Sequence, residues 1–158
     1  MTGAANSAHD HAGCIADALA QADARAAAEG LQLTPVRRRV LEILLEEHRA
    51  LGAYEILDRL RAEGMGSQPP VAYRALDFLI RAGFAHRIET LNAFVACTHG
   101  GAGHLPAFLI CRSCGRVIEA ASDISAGPLA RAAAGAGFAI ESAVREAEGQ
   151  CADCRAAA

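Results

Sequence analysis

The sequence predicts an α+β chain in which an N-terminal winged helix-turn-helix is followed by a small α/β unit pinned by a four-cysteine metal site. Three observations carry that expectation. Apolar residues recur at helical spacing in successive segments between Ile15 and Gly83. The period then switches to two in FAHRIE and AFVACT. Finally, two C-x2-C pairs, Cys111/Cys114 and Cys151/Cys154, stand 36 residues apart.

Residues 1–15, Gly- and Ala-rich with scattered polar groups, read as a flexible tail that includes His9, Asp10, His11 and Cys14. Ile15 to Glu29 carries a thin apolar stripe and stops at Gly30. Thr34 then offers an N-cap and Pro35 suits a first helical position, after which Val36, Val40, Leu41, Leu44 and Leu45 mark an amphipathic helix. Arg37, Arg38 and Arg39 fall in its first turn, where the helix dipole disfavours cations. Phosphate contact is one reason for them, a solvated face the other.

A third helix, AYEILDRLRAEG, turns Ile56, Leu57 and Leu60 inward. The fourth opens on Pro69 and Pro70, which fit only before or within a first turn, and buries Leu76, Leu79 and Ile80. FAHRIE and AFVACT, joined by Thr90–Asn92, read as the hairpin of the wing. Beyond it, HLPAFLIC and GRVIEAA are expected as strands around the first cysteine knuckle, Ser125–Ala134 as a helix, and FAIESAVREAE as a strand. A unit of about 60 residues is small for independent stability, so a structural metal or dimerisation is expected. The resulting division is a tail at 1–15, a DNA-binding domain at 16–96, a hinge at 97–104 and a metal-binding domain at 105–158.

Net charge is −3, but it is uneven. Residues 34–87 hold nine Arg against seven acids, whereas residues 1–33 hold one against four and residues 88–158 five against seven. A locally basic face is what binds phosphates. An α-helix fits the major groove, and an Arg near its N-terminus can pair with guanine for roughly 1–3 kcal/mol of discrimination. Arg74, with Tyr73 beside it, is placed for that on the fourth helix. An Arg on a polar helix face is more often plain solvation, and the three preceding helices and the wing outweigh that alternative. No signal-like N-terminus and no run of ~18 apolar residues occurs, so a soluble, cytoplasmic protein without membrane partners is expected. Its six cysteines are then thiols or metal ligands rather than disulfides.

The two C-x2-C pairs fit a tetrahedral structural zinc site of four thiolates. A redox pair or a rubredoxin-like iron site are the alternatives for the same ligands. A second candidate set is His86 in the wing, Cys97 at its end, His104 after a Gly-rich connector and Glu119 past the first knuckle. One thiolate and one carboxylate cancel the charge of a zinc ion, so such a site exchanges its metal more readily and suits sensing. Taken singly, the four residues read as a wing side chain, a small core residue, a loop residue and a solvated carboxylate.

LTPVRRRVLEIL, AYEILDRLR, PPVAYRALDFLIRAGFAHRIE, the stretch Cys97–Cys114 and the closing GQCADC together resemble the ferric uptake regulator (Fur) family, and within it the zinc uptake regulator branch. The resemblance covers roughly residues 31–154. It implies a homodimeric, metal-dependent repressor of double-stranded operator DNA, with the second unit as dimerisation domain and zinc uptake genes under its control. It also implies two zinc ions per chain, a regulatory one on His86, Cys97, His104 and Glu119 and a structural one on Cys111, Cys114, Cys151 and Cys154. His99 is a further candidate ligand, and Tyr54, Tyr73 and Arg74 match positions that face DNA, with Arg37 as an added contact. Val71 and Ala72 replace the family's usual Thr-Val, which removes a hydroxyl from the start of the recognition helix. On this reading the chain is no enzyme and takes no small organic substrate. The rivals are a regulator tuned to iron, manganese, nickel or peroxide, and a C-x2-C thiol or zinc-ribbon protein that does not bind DNA. The thin histidine content before Cys111 and the presence of Cys97 favour zinc.

Overall fold

The computed structural model describes residues 11–66, 68–99, 106–120, 126–141 and 143–157. Four helices come first: α1 (His11–Ala28), α2 (Pro35–Glu46), α3 (Ala53–Ala62) and α4 (Pro69–Arg81). The wing is an antiparallel hairpin of β1 (Ala85–Ile88) and β2 (Ala93–Ala96). β3 (Ala107–Cys111), β4 (Val117–Ala120), α5 (Pro128–Gly135), β5 (Glu146–Gly149) and α6 (Ala152–Ala156) complete the chain.

Local chemistry sets the helix ends. Thr34 Oγ1 accepts from the Arg37 amide at 3.5 Å ahead of Pro35, and Glu55 accepts from the Gly52 amide at 3.0 Å to open α3. α4 ends on Gly83 at φ +71°, a left-handed conformation that costs a residue without Cβ nothing. There the Gly83 amide donates to the Ile80 carbonyl and the Phe84 amide to the Leu79 carbonyl, which swings the chain directly into β1. α1 is held against this corner by Arg25, which donates to the Ala82 carbonyl at 2.9 Å and lies 3.8 Å over the Phe84 ring. α1 begins at His11 rather than Ile15, so residues 11–14, expected in the tail, are helical. His11 meets the end of α2 through the Glu46 carbonyl and the His48 ring, contacts no sequence pattern announces.

Leu19, Val40, Ile43, Leu44, Leu51, Ile56, Leu57, Leu60, Leu76, Leu79, Phe84 and Phe94 fill the core beneath the four helices. Leu51 and Phe94 exchange backbone hydrogen bonds of 2.9 and 2.8 Å, which ties the wing to the α2–α3 connection. In the second unit the sheet order is β4-β3-β5, antiparallel for β3–β4 and parallel for β3–β5. The expected strand FAIESAVREAE is replaced by a short strand at Glu146–Gly149, which pairs in parallel with β3. α5 starts at Pro128, where proline fits a first helical position, and the expected start at Ser125 lies outside the described residues.

A second apolar cluster crosses from one unit to the other. Ala50, Ile88 and Ala93 of the helical unit and wing pack with Phe108 and Ile110 of β3. The Val117 amide adds a bond to the His48 carbonyl at 3.3 Å. We expect Leu79→Ala, which empties a fully buried position at the α4 corner, to destabilise the folded protein by about 2–5 kcal/mol in chemical denaturation.

Candidate metal centres and nucleic-acid face

The four cysteines of the C-x2-C pairs converge, with ligand atoms within 4.8 Å of one another. Cys111 ends β3, Cys114 follows in the knuckle, and Cys151 and Cys154 flank and enter α6. Cys114 Sγ and Cys151 Sγ are 3.7 Å apart. A tetrahedron with Zn–S bonds of ~2.3 Å has an edge of about 3.8 Å, so this set fits zinc. Amides of Cys151, Cys114 and Ser113 hold the Cys111 thiol down to about 6, while hydrogen bonding with Cys151 and Cys114 pushes Cys154 up to about 12. Four adjacent thiols cannot all ionise without a cation, and a divalent ion resolves that conflict. Arg116 pairs with Asp153 at 2.8 Å and so links the first knuckle to α6.

The mixed set forms at the junction. His86 on β1, Cys97 just past β2 and Glu119 on β4 bring their ligand atoms within 4.8 Å of one another. His86 Nε2 is 3.5 Å from Glu119 Oε1, and Cys97 Sγ is 4.0 Å from the same oxygen. Its other oxygen, Oε2, accepts from the Thr98 amide at 2.8 Å and the Thr98 hydroxyl at 2.9 Å. Oε1 is thereby turned toward the imidazole and thiol. The Glu119 side chain is only 3% exposed, and His86 rests on the Phe108 ring with centroids 5.4 Å apart. His99 Nδ1 lies 3.3 Å from Glu119 Oε1, while His104 is outside the described residues. Burial pushes the His86 pKa down, but Cys97 and Glu119 outweigh it and raise the group to about 9. Burial likewise pushes Cys97 up, and His86 with the His99 amide outweighs it, so the thiol is lowered. A buried carboxylate, a thiol biased toward thiolate and an imidazole form a donor set that fits zinc.

Thr98 and Phe108 are residues the sequence reading missed. Adjacency to Cys97 is the only sequence signal for Thr98, and nothing in the sequence marks Phe108 as more than core.

Tyr54 on α3 and Tyr73 on α4 are both exposed and line one depression with Asn92 of the wing turn. Arg74 is exposed one residue on. Among the described arginines of residues 34–87, it alone has no hydrogen bond or ion pair to another described residue. The first-turn cluster is otherwise engaged. Arg37 lies 3.7 Å over the Phe78 ring and donates to the Gln32 carbonyl at 2.7 Å. Arg38 pairs with Asp23, and Arg39 with Glu42, Glu46 and Glu63. These internal partners supply a reason for the cluster that neither phosphate nor bare solvation required. Ala72 is buried and Val71 half-buried, so the two departures from the family pattern sit on the packed side of α4.

The sequence model of the ferric uptake regulator family matches residues 28–145. The chain belongs to that family. It is 39% identical over 137 residues to the zinc uptake regulation protein of Escherichia coli (strain K12), covering 86% of this chain and 80% of that protein. A zinc uptake regulator complexed with zinc and DNA superposes with a TM-score of 0.84 at 38% identity, over 90% of this chain and 96% of the other. The zinc uptake regulator XcZur provides an internal contrast. At 37% identity its holo form superposes at TM-score 0.79, over 87% of this chain and 96% of that one, and its apo form at 0.50, over 89% and 97%. At equal identity, the structure therefore superposes better on the holo form than on the apo form. No helix of the described residues is long and apolar enough to cross a membrane.

In the metal-free protein the raised His86 pKa has a defined sign. The imidazolium contributes stability in full below pH 6.5 and loses it as pH rises through about 9. Zinc must displace that proton, so its affinity for the mixed set should rise with pH between these limits by up to about one proton per zinc bound. Competition titrations with a chelator from pH 6.5 to 9 measure this, and His86→Gln should flatten the dependence.

Proposed function

We propose that the protein is a zinc-responsive transcriptional repressor of the zinc uptake regulator branch, acting in the cytoplasm as a homodimer on partly palindromic operator DNA. It is a regulator rather than an enzyme, and zinc uptake genes are its targets. The observation that carries this reading is the position of the mixed site: His86 comes from the wing and Glu119 from the second sheet. One ion bound there ties the DNA-binding domain, 16–96, to the metal-binding and dimerisation domain, 105–158, across a hinge at 97–104. A two-fold dimer meets successive major grooves only at certain spacings of its recognition helices, so fixing that angle switches affinity. Shifting such an equilibrium from 1:99 to 99:1 takes about 5.5 kcal/mol, which is modest beside the ~10–16 kcal/mol of structural zinc sites.

Each chain holds two zinc ions. The regulatory one sits on His86, Cys97, Glu119 and, by the resemblance, His104. The structural one sits on Cys111, Cys114, Cys151 and Cys154. A second reading of the fourth regulatory ligand is His99, favoured by its 3.3 Å approach to Glu119. Tyr54, Tyr73 and Arg74 face DNA, and Arg37, stacked on Phe78, supports α4 as much as it adds a phosphate contact. Dimerisation is supported by an uncovered apolar face: α5 has no buried residue among those described, and Leu129, Phe138 and Val144 are all more than half exposed.

Metal analysis with a mobility-shift assay before and after mild chelation tests the switch. The expected result is two zinc per chain, one readily removed, with operator binding lost when it leaves; a stripped protein that bound its operator as tightly as the loaded one would sink the proposal. Cys97→Ser should leave a folded dimer unresponsive to zinc, whereas Cys114→Ser should give an unstable protein. Equal folding defects in both would remove the division of roles. Arg74→Ala should weaken operator binding by about 1–3 kcal/mol while leaving zinc content and melting unchanged.

A further inference from the structure

The second sheet meets the wing along one cross-strand row. Phe108 of β3 stands opposite Glu119 of β4 on one side and opposite Glu146 of β5 on the other. Residues directly opposite in register share a face of the sheet, so carboxylate, phenyl ring and carboxylate present together. Glu119 engages His86 and Thr98, as described, and Phe108 packs with Ile88 and Ala93 of the hairpin. Glu146 engages the wing at its turn. Its Oε1 accepts from the Glu89 amide at 2.6 Å and its Oε2 from the Thr90 amide at 2.8 Å. The turn closes on itself through the Asn92 amide and the Glu89 carbonyl at 3.2 Å, which leaves its first two N–H groups directed at the carboxylate. Two successive amides aimed at one anion make a strong, directional grip. Burial pushes the Glu146 pKa up, but Thr90 and Glu89 outweigh it and the group lies below the usual carboxylate range.

We propose that Glu146 is a second, metal-independent tether of the wing, a positioning residue that holds the hairpin near its DNA-binding orientation so that regulatory zinc completes the closed state and does not create it alone. A polar attachment at His86, with Ile88 and Ala93 resting on Phe108, leaves the tip of the hairpin able to pivot. A second at Glu89–Thr90, three residues and about 10 Å along the strand, removes that freedom. A carboxylate on the opposite edge of the sheet from Glu119 thus acts on the same hairpin, with Phe108 as the fulcrum between them. This rests on the proposed reading as a zinc-dependent operator binder. By linkage, whatever destabilises the closed state weakens zinc at the regulatory site and operator DNA together.

The test uses full-length protein carrying Glu146→Gln, which removes the charge and one acceptor, and Thr90→Pro, which removes both the amide and the hydroxyl that Thr90 offers Glu146, at a turn position that favours proline. Both should speed hydrogen exchange at the Glu89 amide, leave structural zinc and dimerisation intact, weaken operator binding at saturating zinc by about tenfold, and shift the zinc titration to higher concentration. The double variant should cost less than the sum, because both changes break one interaction. Faster exchange with wild-type operator affinity and zinc response would reduce Glu146 to a local turn contact and overturn the proposal, as would unchanged exchange. If the unmodified protein showed no zinc-dependent operator binding, the functional reading would fail instead, and exchange together with the zinc titration would still decide the tether.

Discussion

A carboxylate nearly shut off from solvent, Glu119, governs the junction of this molecule. Burying a charge is tolerable only where partners replace water, and here the partners are drawn from both units. Thr98 holds one oxygen with an amide and a hydroxyl, and the other faces His86, Cys97 and His99. The imidazole gains a proton well above its ordinary range and the thiol leans toward thiolate, so the pocket is charged and paired even before a metal enters. Such a set of groups is suited to exchanging a proton for a cation, as proposed above. Its geometry adds the mechanical consequence, because His86 sits one strand from the recognition helix and Glu119 belongs to the sheet of the second unit.

The rest of the fold makes that junction effective by being stiff on either side of it. α4 runs through a left-handed glycine directly into β1, and Arg25 braces the same corner from α1. The recognition helix and the wing are therefore joined by a short, hydrogen-bonded corner. On the other side, the four cysteines bring both ends of the second unit to one point, and Arg116–Asp153 adds a bond between the knuckle and α6. Under the proposed switch, a movement at the junction would be transmitted because both neighbours are firmly packed.

Charge is used twice in the helical unit, and the two uses differ. Arg38, Arg39, Arg49 and Arg59 are taken up in ion pairs across α1, α2 and α3, which organise the surface. Arg74, on the exposed face of α4, has no such partner among the described residues, which leaves it available for the base contact proposed above. The weakly basic middle of the sequence is thus less basic than it looks, and its useful charge is concentrated at one helix.

Much of this was legible in the residues alone. Periodicity, the Thr34–Pro35 cap, the double proline of α4 and the turn glycines encode their elements locally, because each acts within a few residues of itself. The C-x2-C pairs announce a four-thiolate site because ligand type and knuckle spacing are themselves local. What tertiary structure alone decided lies where residues distant in sequence meet. It gave the arginines of α2 internal partners, carried α1 back to His11, limited the last strand to Glu146–Gly149, and supplied Thr98 to orient Glu119. Above all it set Glu119, Phe108 and Glu146 in one row against the wing. That alignment depends on one antiparallel and one parallel register on opposite sides of β3. No spacing along the chain specifies such a register, since it is fixed by the packing of β3 between its two neighbours.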